Sequence, residues 1–165
     1  MDVMIVTTSR PETTATVTRG AARLLAALGY ALLTEVTLPN GRRADLMALG
    51  PKGQIFIVEV KSGIEDFRVD LKWPEYQPYC DVFAFAVAPE FPREILPDEP
   101  GLIIADGFGG AILRETRVTP LSGARRKALT LAFARLAALR ASGVVATALS
   151  EPRPSIIVIP RSANG

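Results

Sequence analysis

The stretch that decides the fold is IFIVEVKSG, residues 55–63. A run this rich in β-branched and aromatic residues is typical of a strand that is buried on both faces, in the middle of a sheet. Glu59 and Lys61 interrupt the run near its end. Because side chains alternate along a strand, these two project from the same face, about 6.6–7 Å apart. Charged groups seldom enter buried strands without a partner or a metal, so the pair predicts a functional site at the end of a central strand.

Apolar spacing and turn signals on either side of this strand predict the remaining elements. A helix is expected before it, with Gly29 as its C-terminal cap, followed by a hairpin that turns at Pro39-Asn40-Gly41. In chain order the predicted elements are helix 16–28, strands 30–38, 42–49 and 54–61, one or two short helices within 64–79, strand 81–87, a hairpin of strands 101–105 and 111–113, and helix 123–141. This order predicts an α/β fold with one mixed sheet flanked by helices.

Length and composition favour a single globular domain. The chain has 165 residues, of which 48% are hydrophobic and 22% charged. We expect an N-terminal extension at 1–15, the domain at 16–141 and a C-terminal tail at 142–165. Cys80 is the only cysteine, no stretch is long and apolar enough to span a membrane, and residues 1–12 lack the basic region and long apolar segment of a signal peptide. The sequence therefore predicts a cytoplasmic protein.

The residues that are missing exclude several kinds of chemistry. The chain contains no histidine, which removes Ser-His-Asp and Cys-His catalysis and imidazole metal sites. Nineteen basic and seventeen acidic residues give a net charge of +2, so any basic surface that contacts nucleic acid must be local. Chemistry is left to carboxylates, lysine and hydroxyls.

The position of Asp45 relative to Glu59 decides whether a site can form. If the hairpin is centred on the middle of the turn at Gly50–Gly53, Asp45 pairs with Val58. Paired residues share a face of the sheet, whereas Val58 and its neighbour Glu59 point to opposite faces, so Asp45 would lie on the face away from Glu59. A bulge or a one-residue slip in the turn would instead place Asp45 opposite Glu59. With that shift, two carboxylates and Lys61 converge at one end of the sheet.

Two carboxylates and a lysine at this spacing suit phosphodiester hydrolysis. Carboxylate oxygens are the ligands that Mg²⁺ prefers, together with waters and substrate phosphate. The metal polarises the phosphoryl group and lowers the pKa of a bound water, and the lysine orients that water and offsets the developing negative charge.

On these residues the chain resembles the PD-(D/E)xK nuclease superfamily, with Asp45 in the place of the motif aspartate and Glu59-Val60-Lys61 as ExK. The segments LPNG, RRADLMAL and VEVKSGIEDFRVDLKWPEYQPYCDVFAFAV are similar to the MmcB-type bacterial DNA repair proteins, and the resemblance covers roughly residues 16–140. It implies a restriction-endonuclease-like fold and a DNA endonuclease that acts in repair and uses Mg²⁺ or Mn²⁺. It also implies that Asp45 and Glu59 hold the metal and that Lys61 is catalytic.

Two further residues are candidates by analogy with that superfamily. Gln77 is a catalytic candidate as a contact to water or phosphate, and a solvated helix residue is its alternative. Some members carry an acidic residue on the first helix, but the predicted helix 16–28 has none, so Glu35 is the substitute metal ligand. Ala44 stands where the motif has proline, which leaves the carboxylate of Asp45 unaffected.

The residues leave other functions open. The competing hypothesis is a non-catalytic DNA-binding or protein-interaction module that keeps the fold, and a purely structural domain is a third. Trp73, Tyr76 and Tyr79 could stack on exposed bases, but packing against the sheet is the favoured interpretation. The expected partners are DNA and other repair proteins. SIIVIP, residues 155–160, allows a homodimer through a sheet edge.

Overall fold

The computed structural model describes residues 10–63 and 72–149. The α-helices are α1 (Arg10–Ala27) and α2 (Gly123–Ala141). The strands are β1 (Ala31–Thr37), β2 (Arg43–Leu49), β3 (Ile55–Lys61), β4 (Val82–Val87), β5 (Gly101–Ala105) and β6 (Gly110–Arg114). Two 3-10 helices, Trp73–Tyr79 and Arg93–Ile95, precede β4 and β5.

The six strands form one open mixed sheet in chain order, β1-β2-β3-β4-β5-β6. β1, β2 and β3 are antiparallel neighbours, β4 and β5 run parallel to β3, and β6 returns antiparallel to β5. Every residue of β3 is buried, as its apolar sequence predicts for a central strand. The predicted mixed α/β sheet flanked by helices is confirmed.

α1 begins earlier than the sequence analysis predicted, at Arg10 instead of Thr16. Pro11 and Glu12 were the missed signals, since proline and acidic residues both favour the first turn of a helix. Gly29, with a φ of 89°, follows the helix as expected. Gly20 lets α1 approach the turn between β5 and β6, because a Cβ there would lie 2.0 Å from the carbonyl oxygen of Asp106.

Each face of the sheet carries its own hydrophobic core. Under α1 the sheet presents mostly small or branched residues, including Ala48, Val58 and Ala84. The opposite face carries larger side chains, such as Phe83 and Phe85, and packs against α2 and the 3-10 helix Trp73–Tyr79. The two cores together bury β3 on both sides and fix where its charged end lies.

The predicted helices within 64–79 and the predicted C-terminal tail lie only partly within the described residues. Of the helical stretch predicted within 64–79, the structure describes a 3-10 helix with prolines at positions 74 and 78, and 64–71 lie outside the described residues. The predicted tail begins after α2, and its residues 147–149 bridge to Thr37 at the end of β1. SIIVIP, the segment on which the predicted homodimer rests, also lies outside the described residues.

Candidate active site

The charged end of β3 is built by the register between β2 and β3. Leu46 pairs with Val58 and Leu49 pairs with Ile55, so the same register, continued by one residue, sets Asp45 against Glu59. This is the shifted alternative and not the register expected from the centre of Gly50–Gly53. The turn is one residue longer than that estimate, since the amide of Gly50 donates to the carbonyl of Gln54 at 2.7 Å.

Beyond Leu46 and Val58, the two strands are held together by carboxylates in place of ladder hydrogen bonds. The amide of Asp45 donates to Glu59 Oε1 at 3.2 Å. In return, the amide of Val60 donates to Asp45 Oδ2 at 2.7 Å. The acidic side chains therefore lie in the gap between β2 and β3, and each of them bonds the backbone of the opposite strand.

Lys61 and Tyr76 complete the surroundings of Glu59. Glu59 and Lys61 are each only 6% exposed, and the Lys61 ammonium lies 5.9 Å from the centre of the Phe85 ring. The Tyr76 hydroxyl hydrogen-bonds to Glu59 and donates to the carbonyl of Arg43 at 3.2 Å. The spacing of Tyr76 predicted packing, and its ring does stack on Phe83, but the contact of its hydroxyl with Glu59 had no signal in the sequence.

Both carboxyl groups are shifted toward the neutral form. Burial, together with the nearby Asp45, raises the pKa of Glu59 from 4.5 to about 8 against the lowering effects of Lys61, the Asp45 amide and Tyr76. Burial also raises the pKa of Asp45, with Glu35 adding to the shift, while the Val60 amide, Lys61 and Arg43 oppose it. Lys61 and Arg43 therefore do not fully offset the desolvation of the two carboxyl groups in this gap.

Glu35 reaches the same region through a kink in β1. The pairs Thr34–Leu46 and Val36–Ala44 flank it, so its position in the ladder faces Asp45. Its φ is 49°, a left-handed conformation that non-glycine residues seldom adopt and that recurs at functional sites.

The kink breaks the usual alternation of side chains in both strands. Leu33 and Val36 pack on the same side of the sheet although three positions separate them, and Ala44 and Met47 do the same in β2. The two residues between them, Thr34 and Glu35 in β1 and Asp45 and Leu46 in β2, therefore lie on the side of the sheet that faces α1. Glu35 and Asp45 accordingly both line a cavity of about 570 Å³ between α1 and the first two strands, together with Thr14, Thr18 and Arg19 of α1.

Arg140, in the last turn of α2, holds the kink from the outer edge of β1. Its guanidinium donates to the carbonyls of Thr34 at 2.6 Å and Glu35 at 3.1 Å, and to that of Ala146 at 2.8 Å. The strained backbone of Glu35 is thus fixed by charge-assisted hydrogen bonds from a distant part of the chain.

Gln77, the remaining candidate, lies apart from the other four. It is exposed and lines a different cavity with Asp81 and Phe83, which lie at the beginning of β4. Asp45, Glu59 and Lys61 are brought together, and Glu35 lies opposite Asp45 in the pairing of β1 with β2. Within residues 10–63 and 72–149, no group of three or more acidic or cysteine side chains is arranged to hold a metal ion.

A second buried carboxylate lies at the opposite end of β3. Asp81 is 3% exposed, and its two oxygens accept from Arg126 at 2.7 and 2.5 Å and from the amides of Ile55 and Leu121. Burial alone raises the pKa of Asp81, but Arg126 and the two amides outweigh it and hold this pKa below 3.8. Arg126 is therefore committed to an ion pair with a buried carboxylate.

The fold and the charged strand end define a class of protein. It is a mixed α/β protein with an open sheet flanked by helices, an architecture consistent with nuclease-like folds, and it carries paired carboxylates where its central strand ends. No helix among the described residues is long and apolar enough to cross a membrane.

Comparison with known proteins gives the family. The sequence model of the family described as DNA repair protein MmcB-like matches residues 2–148, and the chain belongs to this MmcB-like family of DNA repair proteins. The resemblance to the MmcB-type proteins is thereby confirmed. No curated protein matches the chain. Among solved structures it is similar to one described as the SPO1766 protein of unknown function from Silicibacter pomeroyi, with 43% identity and a TM-score of 0.76 over 79% of this chain and 90% of that chain.

Proposed function

We propose that this protein is a metal-dependent endonuclease of the PD-(D/E)xK type that hydrolyses phosphodiester bonds of DNA during repair. One observation carries the proposal. In the gap between β2 and β3, the side chains of Asp45 and Glu59 each accept a hydrogen bond from a backbone amide of the other residue's strand. The buried Lys61 lies two residues after Glu59 on β3. DNA as the substrate class follows from membership in a DNA repair family.

The donor groups fit a hard divalent cation. Mg²⁺ and Mn²⁺ take carboxylate oxygens, and Mg²⁺ typically uses one or two protein carboxylates with waters and substrate phosphate completing the shell. Asp45 and Glu59 supply two such groups, and the raised pKa of both, which comes mainly from burial, supports a cation as the partner that would stabilise their charged forms. Glu35, which raises the pKa of Asp45 from across β1, is the third acidic group that can act through water.

The side chains divide the chemistry between them. When bound, the cation polarises the phosphoryl group and lowers the pKa of a water. Asp45 and Glu59 would hold the cation, and Glu59, whose pKa is raised to about 8, would give up its proton on metal binding. The ammonium of Lys61 orients the attacking water and stabilises the negative charge that develops on the phosphate, an effect that burial strengthens. Gln77, which was expected to assist, lines another cavity and has no part in this proposal.

The alternative is a DNA-binding module without catalysis, and one observation favours it. Each carboxylate already gives an oxygen to a backbone amide, and Glu59 also bonds Tyr76, so the cluster could serve only to close the end of the sheet. In this alternative Glu59 stays protonated near neutral pH and no metal binds.

Cleavage and metal binding, measured together, separate the two functions. The purified protein is incubated with branched, nicked and single-stranded DNA in Mg²⁺ or Mn²⁺, and Mn²⁺ binding is followed by calorimetry. We expect cleavage by the unchanged protein and a loss of about 100-fold or more in Asp45→Asn and Lys61→Ala. Only Asp45→Asn should also lose Mn²⁺ affinity.

Glu94→Gln is the matched control, because Glu94 is an exposed carboxylate outside the site. It should cleave and bind Mn²⁺ as the unchanged protein does. DNA binding with no cleavage of any substrate, combined with no Mn²⁺ binding, would overturn the nuclease proposal and establish the module.

A further inference from the structure

The cavity that contains Gln77 is a second site, separate from the charged end of β3. It measures about 310 Å³, within the range of small-ligand pockets, and lies beside the beginning of β4. Trp73 forms part of its wall and stacks on Phe83 with the ring centres 5.9 Å apart. The cavity therefore offers an aromatic surface on a rigid base.

Two loops that hydrogen bonds hold in place also contribute to the lining of the cavity. Arg114 donates to the carbonyls of Pro97 and Pro100 at 2.7 and 3.0 Å. The hydroxyl of Thr116 donates to the carbonyl of Glu99 at 3.0 Å, which ties the loop before β5 to the loop after β6. These bonds fix the cavity walls before any ligand arrives, which lowers the entropic cost of binding.

Three polar side chains around this cavity are uncommitted. Gln77, Glu99 and Arg117 line it, and none of their side chains has a hydrogen bond or ion pair to another described residue. Asp81 also lines it, but both of its oxygens are taken by Arg126 and backbone amides. The free groups are an amide, a carboxylate and a guanidinium arranged around an indole.

This set of groups matches the chemistry of a nucleotide. An indole provides a stacking surface that accepts any base, and amide and carboxylate groups hydrogen-bond the polar edge of a base. A guanidinium pairs with phosphate. Inorganic anions alone would not use the indole, and a purely apolar ligand would leave all three polar groups unpaired.

We propose that this cavity binds a nucleobase with its phosphate, as an unpaired nucleotide of DNA presents them, with Trp73 stacking on the base, Gln77 and Glu99 bonding its edge and Arg117 contacting the phosphate. The inference rests on the DNA repair family and on the cavity, and it stands whether or not the charged end of β3 is catalytic. A site for an unpaired base would direct the protein to single-stranded or distorted DNA.

The test uses the intrinsic fluorescence of Trp73, which is the only tryptophan in the chain. The full chain carrying Asp45→Asn is titrated in the presence of EDTA with short single-stranded DNA, a blunt duplex, deoxynucleoside monophosphates and 2-deoxyribose 5-phosphate. We expect saturable quenching by single-stranded DNA, weaker quenching by mononucleotides, and none by the duplex or the sugar phosphate. Because no metal and no intact carboxylate pair are present, failure of the nuclease proposal leaves this result unaffected.

Two exposed positions allow variants that should not disturb folding, which circular dichroism verifies. Gln77→Ala and Arg117→Ala should each weaken the binding of single-stranded DNA by about tenfold. Arg93→Ala removes the same charge from an exposed position outside the cavity and is the matched control. Mononucleotides that bind more tightly than single-stranded DNA would support the site with free nucleotide as its source. No quenching, equal quenching by sugar phosphate, or equal weakening by Arg93→Ala would overturn the proposal.

Discussion

The two ends of β3 both contain a buried carboxylate next to a cation, yet their electrostatics are opposite. At the end near Ile55, Asp81 receives a bidentate Arg126 and two backbone amides, and its pKa is lowered. At the other end, Asp45 and Glu59 share a single lysine and have raised pKa values. A guanidinium and two amides satisfy the oxygens of Asp81, whereas desolvation outweighs the positive charge near Asp45 and Glu59, and it is at this second end that we propose that a cation binds.

The largest effect on stability should come from the end of β3 near Ile55, where both oxygens of Asp81 are hydrogen-bonded. Arg126→Ala leaves Asp81 buried without its counter-ion, and we expect a loss of about 3 to 5 kcal/mol in the free energy of unfolding, measured with urea. Lys127→Ala, which removes an exposed cation from the next position of α2, should change stability by less than about 0.5 kcal/mol. Equal losses in the two variants would mean that the Asp81–Arg126 pair contributes nothing specific.

The dependence of stability on pH should differ between the ends. Glu59 binds its proton more tightly in the folded state, so metal-free protein loses stability as pH rises from 4.5 toward about 8. Asp81 has a lowered pKa, so its contribution is present above pH 3.8 and is lost as pH falls through its folded value.

Urea unfolding between pH 5 and 9 in EDTA, with and without Glu59→Gln, isolates the Glu59 contribution. The free energy of unfolding of the variant should change less with pH across this range, because its neutral amide does not ionise. A decline of the same steepness in the variant would place the titrating group elsewhere and remove the electrostatic contrast between the ends.

The smallest of these effects concerns Tyr76. Tyr76→Phe keeps the ring on Phe83 but deletes the hydroxyl that bonds Glu59 and the carbonyl of Arg43, which should cost about 1 kcal/mol. The pKa of Glu59 should rise further, and the pH at which stability declines should rise with it. Tyr79→Phe, whose ring contacts Arg125, is the control and should leave the decline unmoved.

Most of the sheet was predictable because its signals are local. The apolar run of β3 and the glycine and proline turns place all six strands within about a residue, and the predicted bounds of α2 match the structure. α1 was placed too late because its first two turns are polar and carry no apolar periodicity. Opposite charges inside an apolar strand were enough to select Glu59 and Lys61.

Features that depend on distant residues were not predictable in the same way. The position of Asp45 depended on one residue in the length of a turn, which composition does not determine. The ion pair of Asp81 with Arg126 joins positions 45 residues apart. Gln77 lies in a tight 3-10 helix with two prolines and lines another cavity, whereas the analogy with the superfamily predicted that it would reach the charged end of β3.

The bridge between residues 147–149 and Thr37 has a consequence for synthesis of the chain. Asp45, Glu59 and Lys61 are synthesised well before Arg140 and the bridging segment, which secure the edge of β1 beside Glu35. Domains fold largely as units during and after synthesis. A nascent chain therefore has its acidic strands before it has the groups that lock their outer edge, and the cluster reaches its final geometry only after residues 140–149 have been made.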